Sequence, residues 1–269
     1  MGSSHEKPRG VTVSGDPDGR PIVFVHGVTL TRSMWRPQVN RLPDDYRLIT
    51  FDLPGHGERE GETFQFERAV DLLDRVVETA ADGSAVVVGL SLGGYLATSY
   101  ASRYPEKVDT LVISGSSANP TGLLGVLTRV VSAVSRLATE SKLVRKGYAV
   151  LWKRLVRKLE LAPDEKREII DSGFYPRRFG EAGSDLAGRD FRAEFGAYPG
   201  PALILNGEAD LLSRRGEDGH AAAAPDARVE IVDDAGHSAN LHQPAAYTRS
   251  VEQFYREAFP EPSAGGDDA

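Results

Sequence analysis

Short runs of apolar and β-branched residues recur along the chain, and helical patterns separate them. The seven runs are Gly10–Val13, Ile22–Val25, Tyr46–Phe51, Ala85–Gly89, Val108–Ser114, Ala202–Leu205 and Val229–Val232. Most of them are continuously apolar instead of alternating with polar residues, which is typical of strands that are buried on both faces. The pattern therefore predicts seven strands, most of them covered on both sides of a sheet.

The segments between these runs carry amphipathic helical patterns. After Phe66, apolar residues recur at helical spacing from Ala69 to Ala80, and charged residues occupy the opposite face. Tyr247, Val251 and Phe254 repeat the pattern near the end of the chain. Alternating strands and helices predict an α/β fold, in which a mostly parallel sheet is flanked by helices.

The alternation stops between residues 118 and 198, where no strand pattern is convincing. Helical patterns cover Leu123–Thr139, Leu143–Leu159 and Ala162–Ser172, and a glycine-rich stretch, 180–188, is expected to be looser. We interpret 118–198 as a helical cap, or lid, inserted into an α/β core of residues 10–117 and 199–259. The end segments, 1–9 and 260–269, are polar and are expected to form flexible tails.

The composition narrows the classes of function. The chain has 32 Lys and Arg against 39 Asp and Glu, a net charge of −7, so nucleic acid is not expected as a partner. Cysteine is absent, which excludes disulfides, thiolate metal sites and a cysteine nucleophile, and favours a reducing compartment. No run approaches the ~20 apolar residues of a membrane span. The sequence predicts a cytoplasmic protein with a small-molecule partner and neither a metal nor another cofactor.

A serine lies between a predicted strand and a predicted helix. Residues 86–94 read Val-Val-Val-Gly-Leu-Ser-Leu-Gly-Gly, which is a G-x-S-x-G sequence centred on Ser91. A nucleophilic serine in this position needs a sharp, strained turn, and side chains at Gly89 and Gly93 would collide with neighbouring atoms. The alternative is an ordinary strand-to-helix turn with a serine cap. The pattern favours Ser91 as a nucleophile.

A serine hydroxyl needs a base, and two histidines are candidates. His237 follows the last predicted strand in a glycine-bearing loop, and His242 lies at the predicted start of the final helix. The position after the strand favours His237 as the base. His242 is the alternative, with a structural role as a partner of the loop backbone or as a helix cap.

Asp210 ends the run that begins at Ala202, one strand before the histidine loop. A carboxylate there can accept a hydrogen bond from the imidazole and fix its tautomer. Glu208 is the near rival, and Asp233 and Asp234 lie close to the base in sequence. The loop after the preceding strand, residues 114–120, contains no carboxylate, which favours Asp210.

Acyl transfer also needs two N–H donors for the negative charge on the carbonyl oxygen. The predicted oxyanion hole consists of the backbone N–H groups of Leu92, which follows the serine, and of Val28, in the loop after the second strand. Gly27 would let this loop approach the substrate, and His26 is expected to brace it through hydrogen bonds.

With these residues assigned, the chain resembles the α/β-hydrolase superfamily over nearly its whole length. The matching blocks are Val25–Gly27, Asp52–Gly57, Gly89–Gly94, Asn206–Asp210 and Ala235–His237. The resemblance implies an eight-stranded, mostly parallel sheet (the α/β-hydrolase fold) with a lid over the catalytic edge. A serine nucleophile excludes the branches that are similar to haloalkane dehalogenases and epoxide hydrolases. Two positions depart from the pattern, Arg59 in place of a serine and His242 in place of an acidic residue before Gln-Pro; both affect the bracing of loops.

The predicted cap is both apolar and cationic. Its Lys and Arg residues between 142 and 167 are Lys142, Arg145, Lys146, Lys153, Arg154, Arg157, Lys158, Lys166 and Arg167. They form either the solvated face of a lid or a guide for an anionic ester or thioester. The residues predicted to line the substrate pocket are Thr29, Trp35, Trp152 and Tyr175.

The sequence favours a carboxylesterase-like serine hydrolase. Its predicted reaction is cleavage of an ester, lactone or thioester of an anionic or acyl-bearing small molecule through an acyl-enzyme on Ser91. Two alternatives stay open: a carbon–carbon hydrolase or lyase that uses the same Ser91, His237 and Asp210, and a non-catalytic ligand receptor on the same fold.

Overall fold

The computed structural model describes residues 7–259, in which the seven apolar runs form seven strands. They are β1 (Val11–Gly15), β2 (Arg20–Val25), β3 (Tyr46–Phe51), β4 (Ala85–Leu90), β5 (Val108–Ser114), β6 (Ala202–Gly207) and β7 (Ala227–Val232). They form one sheet in the order β1-β3-β2-β4-β5-β6-β7, in which β1 is antiparallel to β3 and all other pairs are parallel. The α/β class is confirmed. The expected count of eight strands is wrong for the described residues, because residues 7–19, ahead of β2, hold only one strand.

Eleven α-helices lie in the described part of the chain. They are α1 (Arg36–Val39), α2 (Phe66–Ala80), α3 (Leu92–Arg103), α4 (Gly122–Ala138), α5 (Lys142–Lys158), α6 (Pro163–Asp171), α7 (Arg177–Leu186), α8 (Phe191–Gly196), α9 (Leu211–Ala221), α10 (Ala239–His242) and α11 (Pro244–Ala258). Short 3₁₀ turns cover Arg32–Trp35, Gly57–Arg59 and Pro105–Lys107. The predicted tails lie outside the described residues, except for residues 7–9.

The core has two halves because successive residues of a strand point to opposite faces of the sheet. On β2, Val23 and Val25 pack with α2, α3 and α8. The alternating residues Ile22 and Phe24 pack on the other face with Trp35 and the helices α10 and α11. Since both faces are covered, the central strands β4 and β6 are buried at every position.

Five helices, α4 to α8, connect β5 to β6 across the region predicted as a cap. The stretch 180–188, expected to be loose, instead belongs largely to helix α7. Its glycines let α7 pack closely on α4, since a Cβ atom at Gly183 would lie 2.1 Å from Ser132 Oγ and one at Gly180 would lie 2.7 Å from Ser132 O. Helix α8 differs from the others: Phe191 and Phe195 are buried in the core against α3.

Two features of the described helices concern membranes. No single helix is long and apolar enough to cross a bilayer. Helices α4 and α5 pass that test of length and composition only as a pair, and they are bent by 108° at their junction.

The parallel strands all end at the same edge of the sheet. The loops that follow β2, β4, β5, β6 and β7 therefore meet there, as the carboxyl edge of an open α/β sheet commonly does around a ligand. These loops carry Val28, Ser91, Gly115, Asp210 and His237.

Candidate active site

Ser91 lies on a strained turn between β4 and α3. Its backbone angles, φ 57° and ψ −118°, fall in a region that residues with a side chain rarely occupy, at a cost of about 1–3 kcal/mol. Its N–H donates to Ser114 O over 2.7 Å, which ties the turn to β5. A Cβ atom at Gly89 would lie 2.3 Å from Gly93 O, and one at Gly93 would lie 2.0 Å from Val25 O. Both glycines are therefore required for this turn, the second because α3 begins against the end of β2.

The imidazole of His237 is hydrogen-bonded to the carboxylate of Asp210. His237 Nδ1 lies 2.9 Å from Asp210 Oδ2, and the carboxylate is buried whereas the ring is half exposed. Burial of the Asp210 carboxyl group raises its pKa, but the hydrogen bond and charge of His237, with further hydrogen bonds from Ser213, outweigh this and lower the pKa. Because a carboxylate only accepts, Nδ1 carries the proton and Nε2 is left free to accept another.

The alternative residues have other partners. His242 Nδ1 accepts a hydrogen bond from the N–H of Gly236 over 2.8 Å, which is the loop-bracing role considered for it. Burial, together with the nearby His237, lowers the pKa of His242. Glu208 Oε2 accepts from the N–H of Asp234 over 3.2 Å. The structure thus brings Asp210 and His237 together, whereas the side chains of His242 and Glu208 support the loops.

Ser91 and His237 face one cavity of about 390 Å³. Its lining is Val28, Ser91, Leu92, Tyr95, Gly115, Leu124, Leu127, Thr128, Val131, Ser132, Phe179, Ala182, Gly183, Leu186, Leu212 and His237. Helices α4 and α7 supply nine of these sixteen residues, and none of the sixteen is Lys, Arg, Asp or Glu. The cavity is therefore an apolar chamber with a serine and a histidine in its wall.

Two backbone N–H groups in the cavity wall have no acceptor. Neither Val28 N nor Leu92 N donates a hydrogen bond to any residue between 7 and 259. Leu92 is the first residue of α3, whose amino end favours negative charge. The Val28 loop passes close to the serine, since a Cβ atom at Gly27 would lie 3.5 Å from Ser91 Cβ. This arrangement can receive an oxyanion.

Two buried histidines support the Val28 loop. His26 Nδ1 donates to Gly27 O over 2.8 Å, and Nε2 accepts from the N–H of Leu53 over 2.9 Å, as expected of a brace. His56 lies edge-on to His26, with ring centroids 5.0 Å apart. Burial lowers the pKa of His26, and burial together with His26 lowers the pKa of His56 well below its usual value. Both rings are neutral in the folded protein at neutral pH.

The buried histidines predict a loss of stability in mild acid. Their pKa values are lower in the folded state than the unfolded value of 6.5, so the unfolded chain binds more protons below that pH. The stabilisation is complete above pH 6.5 and is lost as the pH falls, by up to about 1.4 kcal/mol per pH unit for each histidine. Urea unfolding at pH 7.5, 6.5 and 5.5 measures the slope. It should be shallower in His56→Gln, and an identical slope in both proteins would contradict the assignment.

The two departures from the sequence pattern both brace loops. Arg59 is buried, donates from Nε to Arg9 O over 2.9 Å and pairs with Glu62 over 2.8 Å. His242 holds Gly236, as described above. Each replaces the expected residue with another hydrogen-bonding group.

The residues predicted to line the pocket lie elsewhere. Trp35 is in the core because its large ring packs between Phe24 and Tyr247. Thr29 is buried and bonds through Oγ1 to the hydroxyl of Tyr148 on α5. Trp152 stacks on Phe174, and Tyr175 lies edge-on to His56. None of the four belongs to the lining of the cavity beside Ser91.

Sequence reasoning missed Gly115 and the apolar lining. Gly115 has φ +61°, and a Cβ atom there would lie 2.8 Å from His237 Cε1, so only glycine leaves room for the ring. The signal was present, because Gly115 directly follows β5 at the carboxyl edge of the sheet. In the sequence, the lining residues of α4 belong to an apolar stripe at helical spacing. Such a stripe does not show which of its residues face a cavity.

Comparisons with known proteins agree with this fold. The alpha/beta hydrolase family profile matches residues 22–249. A putative 2-succinyl-6-hydroxy-2,4-cyclohexadiene-1-carboxylate synthase of Bacillus subtilis (strain 168) is 27% identical over 254 residues, covering 87% of this chain and 89% of the relative. A 2-(acetamidomethylene)succinate hydrolase of Mesorhizobium japonicum is 26% identical over 245 residues and covers 88% of each. The solved structure of MenH from S. aureus shares the fold, with a TM-score of 0.78 at 20% identity over 93% of this chain and 99% of that chain. The chain therefore belongs to the alpha/beta hydrolase family, and its relatives support a hydrolase.

Proposed function

We propose that the protein hydrolyses a carboxylic ester, lactone or thioester of a small molecule through an acyl-enzyme on Ser91. The observation that carries this proposal is the shared cavity, whose wall contains both Ser91, on its strained turn, and His237, which is hydrogen-bonded to Asp210. His237 is the base and Asp210 the residue that orients it, as in a Ser-His-Asp triad. The helices α4 and α7 act as the lid over this site.

The reaction proceeds in two balanced steps. His237 Nε2 takes the proton of the Ser91 hydroxyl as Oγ attacks the carbonyl carbon, and the negative oxygen accepts hydrogen bonds from Val28 N and Leu92 N. The tetrahedral intermediate expels the alcohol or thiol, which receives the proton from His237. In the second step, water attacks the acyl-enzyme and gives one proton to His237. As the acid is released, His237 returns this proton to Ser91.

The lining of the cavity favours an apolar acyl group. The two relatives above are named after compounds that carry carboxylate groups. In this chain, no Lys or Arg lines the cavity to pair with a carboxylate group of a substrate. The cations of α5 lie outside the lining, so the acyl-bearing substrate is preferred to the anionic one. The cytoplasmic location predicted from the cysteine-free sequence is part of this proposal.

A lyase reaction on the same residues is the second candidate, since one relative is named a synthase. Trapping of the acyl-enzyme distinguishes the hydrolase from the lyase. A hydrolase that forms an acyl-enzyme gains the mass of the acyl group on Ser91 when it is quenched during turnover, whereas a lyase that uses the serine only as a base does not.

The acyl preference predicts a rise in kcat/KM with chain length. Each methylene buried in the cavity adds about 0.8 kcal/mol, or about a fourfold gain in kcat/KM, until the cavity is full. A series of p-nitrophenyl esters from acetate to dodecanoate measures this. In Val131→Trp, which fills the cavity, the gain should disappear while the acetate ester reacts as before. Val134→Trp, one turn further along α4 and exposed, is the matched control; an unchanged profile in Val131→Trp would contradict the assignment.

A further inference from the structure

Helices α4 and α5 leave most of their apolar side chains in solvent. Twelve of the seventeen exposed large apolar residues in the described part of the chain lie on these two helices. They are Leu123, Val126, Leu127, Val130, Val131, Val134 and Leu137 on α4 and Leu143, Val144, Val150, Leu151 and Leu155 on α5. Leu123 is 85% exposed and Leu143 is 79% exposed, so neither is covered by its neighbours. We refer to these twelve side chains as the apolar surface; so many exposed apolar side chains on two consecutive helices mark an interaction site.

All charged residues of these two helices are basic, although the chain has a net charge of −7. They carry no Asp or Glu, and their nine basic residues are Arg129, Arg136, Lys142, Arg145, Lys146, Lys153, Arg154, Arg157 and Lys158. Of the ion pairs among residues 7–259, none involves any of these nine side chains. Their charge is therefore available to a partner, and that partner is anionic.

The apolar surface reaches the cavity of the candidate active site. Leu127 and Val131 are exposed on α4 and also line the cavity beside Ser91. Leu124, on the same helix, lines it as well. An apolar molecule bound to the exposed side of α4 would thus contact side chains that also line the cavity.

These observations select an anionic lipid surface among the possible occupants. A second copy of the chain would cover the apolar residues but would bring two sets of unpaired cations together, which costs free energy. An anionic bilayer satisfies both features, since its headgroups attract Lys and Arg and its acyl region receives Leu and Val. Spanning is disfavoured by the seven cations of α5 and by the bend of 108°. Two helix axes that meet at a bend define a plane, so both can lie on a flat surface.

We propose that α4 and α5 dock the protein on an anionic membrane surface, from which an apolar acyl substrate enters the cavity. The docking stands on the exposed side chains and charges alone. The delivery of substrate rests on the proposed function of Ser91. The two parts are therefore tested by different measurements.

Docking is measured by sedimentation of the full chain with lipid vesicles. The Ser91→Ala protein is used, so that lipid hydrolysis plays no part. Vesicles of phosphatidylcholine mixed with phosphatidylglycerol should bind the protein, in a manner weakened by salt, and vesicles of phosphatidylcholine alone should bind it at least tenfold more weakly. When Leu143→Glu and Leu151→Glu are added to the Ser91→Ala protein, binding to the anionic vesicles should fall by more than tenfold, because two side chains of the apolar surface become anions.

Matched variants separate the surface from general effects. Lys146→Glu reverses one charge on α5 and should weaken binding by about tenfold or more, whereas Arg249→Glu, exposed on α11, should not. Val13→Glu, exposed on β1, is the control for the leucine changes. Circular dichroism establishes that each variant is folded. Equal binding by Leu143→Glu with Leu151→Glu, or an equal loss with the control variants, would overturn the proposal.

Two further outcomes are decisive. If analytical ultracentrifugation shows a dimer that the Leu143→Glu with Leu151→Glu protein cannot form, and vesicles are not bound, the partner is a second copy and the proposal is overturned. If vesicles are bound and the protein with Ser91 intact cleaves no ester, docking stands and the proposed hydrolysis fails. If both hold, esters embedded in anionic vesicles should be cleaved more slowly by Leu143→Glu with Leu151→Glu, while a soluble acetate ester is cleaved at the wild-type rate.

Discussion

Replacement of Ser91 by alanine is expected to lower kcat for ester hydrolysis by about 10⁶-fold, the largest effect of any single change in this chain. Alanine keeps the Cβ atom, and with it the φ of 57° and the packing of the turn, so the loss comes from the nucleophile alone. The remaining activity reflects only the cavity and the N–H groups of Val28 and Leu92. Initial rates with p-nitrophenyl butanoate measure the loss, and a fluorophosphonate should label the wild-type protein and leave Ser91→Ala unlabelled.

The matched control is Ser116→Ala. Ser116 is buried near the same edge of the sheet, and its hydroxyl has no hydrogen-bond partner among the described residues, so its removal should leave kcat within about threefold of the wild-type value. Retained activity in Ser91→Ala, or labelling of another residue by the fluorophosphonate, would contradict the proposed mechanism.

The central strands were predictable because they are buried on both faces. Each of the seven apolar runs overlaps an observed strand, and β4, from Ala85 to Leu90, is buried at every position. The eighth strand came from the resemblance and not from any run of residues, and no such run precedes Ile22 except Gly10–Val13. A count taken from the pattern was more accurate than one taken from the family.

The arrangement around Ser91 was predictable because backbone sterics restrict it. At positions 89 and 93 only glycine fits, because a Cβ atom would collide with Gly93 O or with Val25 O. The two glycines in the sequence therefore indicate the turn. The position of Asp210 and His237 after successive strands follows from the parallel order of the sheet, which brings the ends of β6 and β7 to one edge.

The cavity was not predictable because it depends on how helices pack above the sheet. The approach of α7 to α4 is set by Gly180 and Gly183 against Ser132, whereas three glycines within residues 180–188 are, in a sequence, typical of a loop. The large aromatic residues were misleading for a related reason: Trp35 gains more from burial between Phe24 and Tyr247 than it would in a cavity wall. Periodicity shows that a stripe is apolar and leaves open whether core, cavity or solvent faces it.

The second large effect is expected for Asp210→Asn, which should lower kcat by about 10⁴-fold with little change in fold. The asparagine has the same shape, but its amide can donate to His237 Nδ1 and stabilise the tautomer that carries its proton on Nε2. In that tautomer the ring cannot accept the proton of Ser91. The loss is therefore in chemistry and should appear in kcat, while KM for the ester, which depends on the apolar lining, stays within about threefold.

Glu208→Gln is the control that separates a specific contact from a general loss of negative charge. Glu208 lies two residues from Asp210 in the same loop, but its carboxylate accepts from the N–H of Asp234 and does not reach His237. Its replacement keeps an acceptor and should change kcat by less than about threefold. If Glu208→Gln lost as much activity as Asp210→Asn, the carboxylates would act through the charge of the loop and not through the tautomer of His237. The fluorophosphonate reaction distinguishes these directly, because its rate at Ser91 depends on the same base: it should slow in Asp210→Asn and remain unchanged in Glu208→Gln.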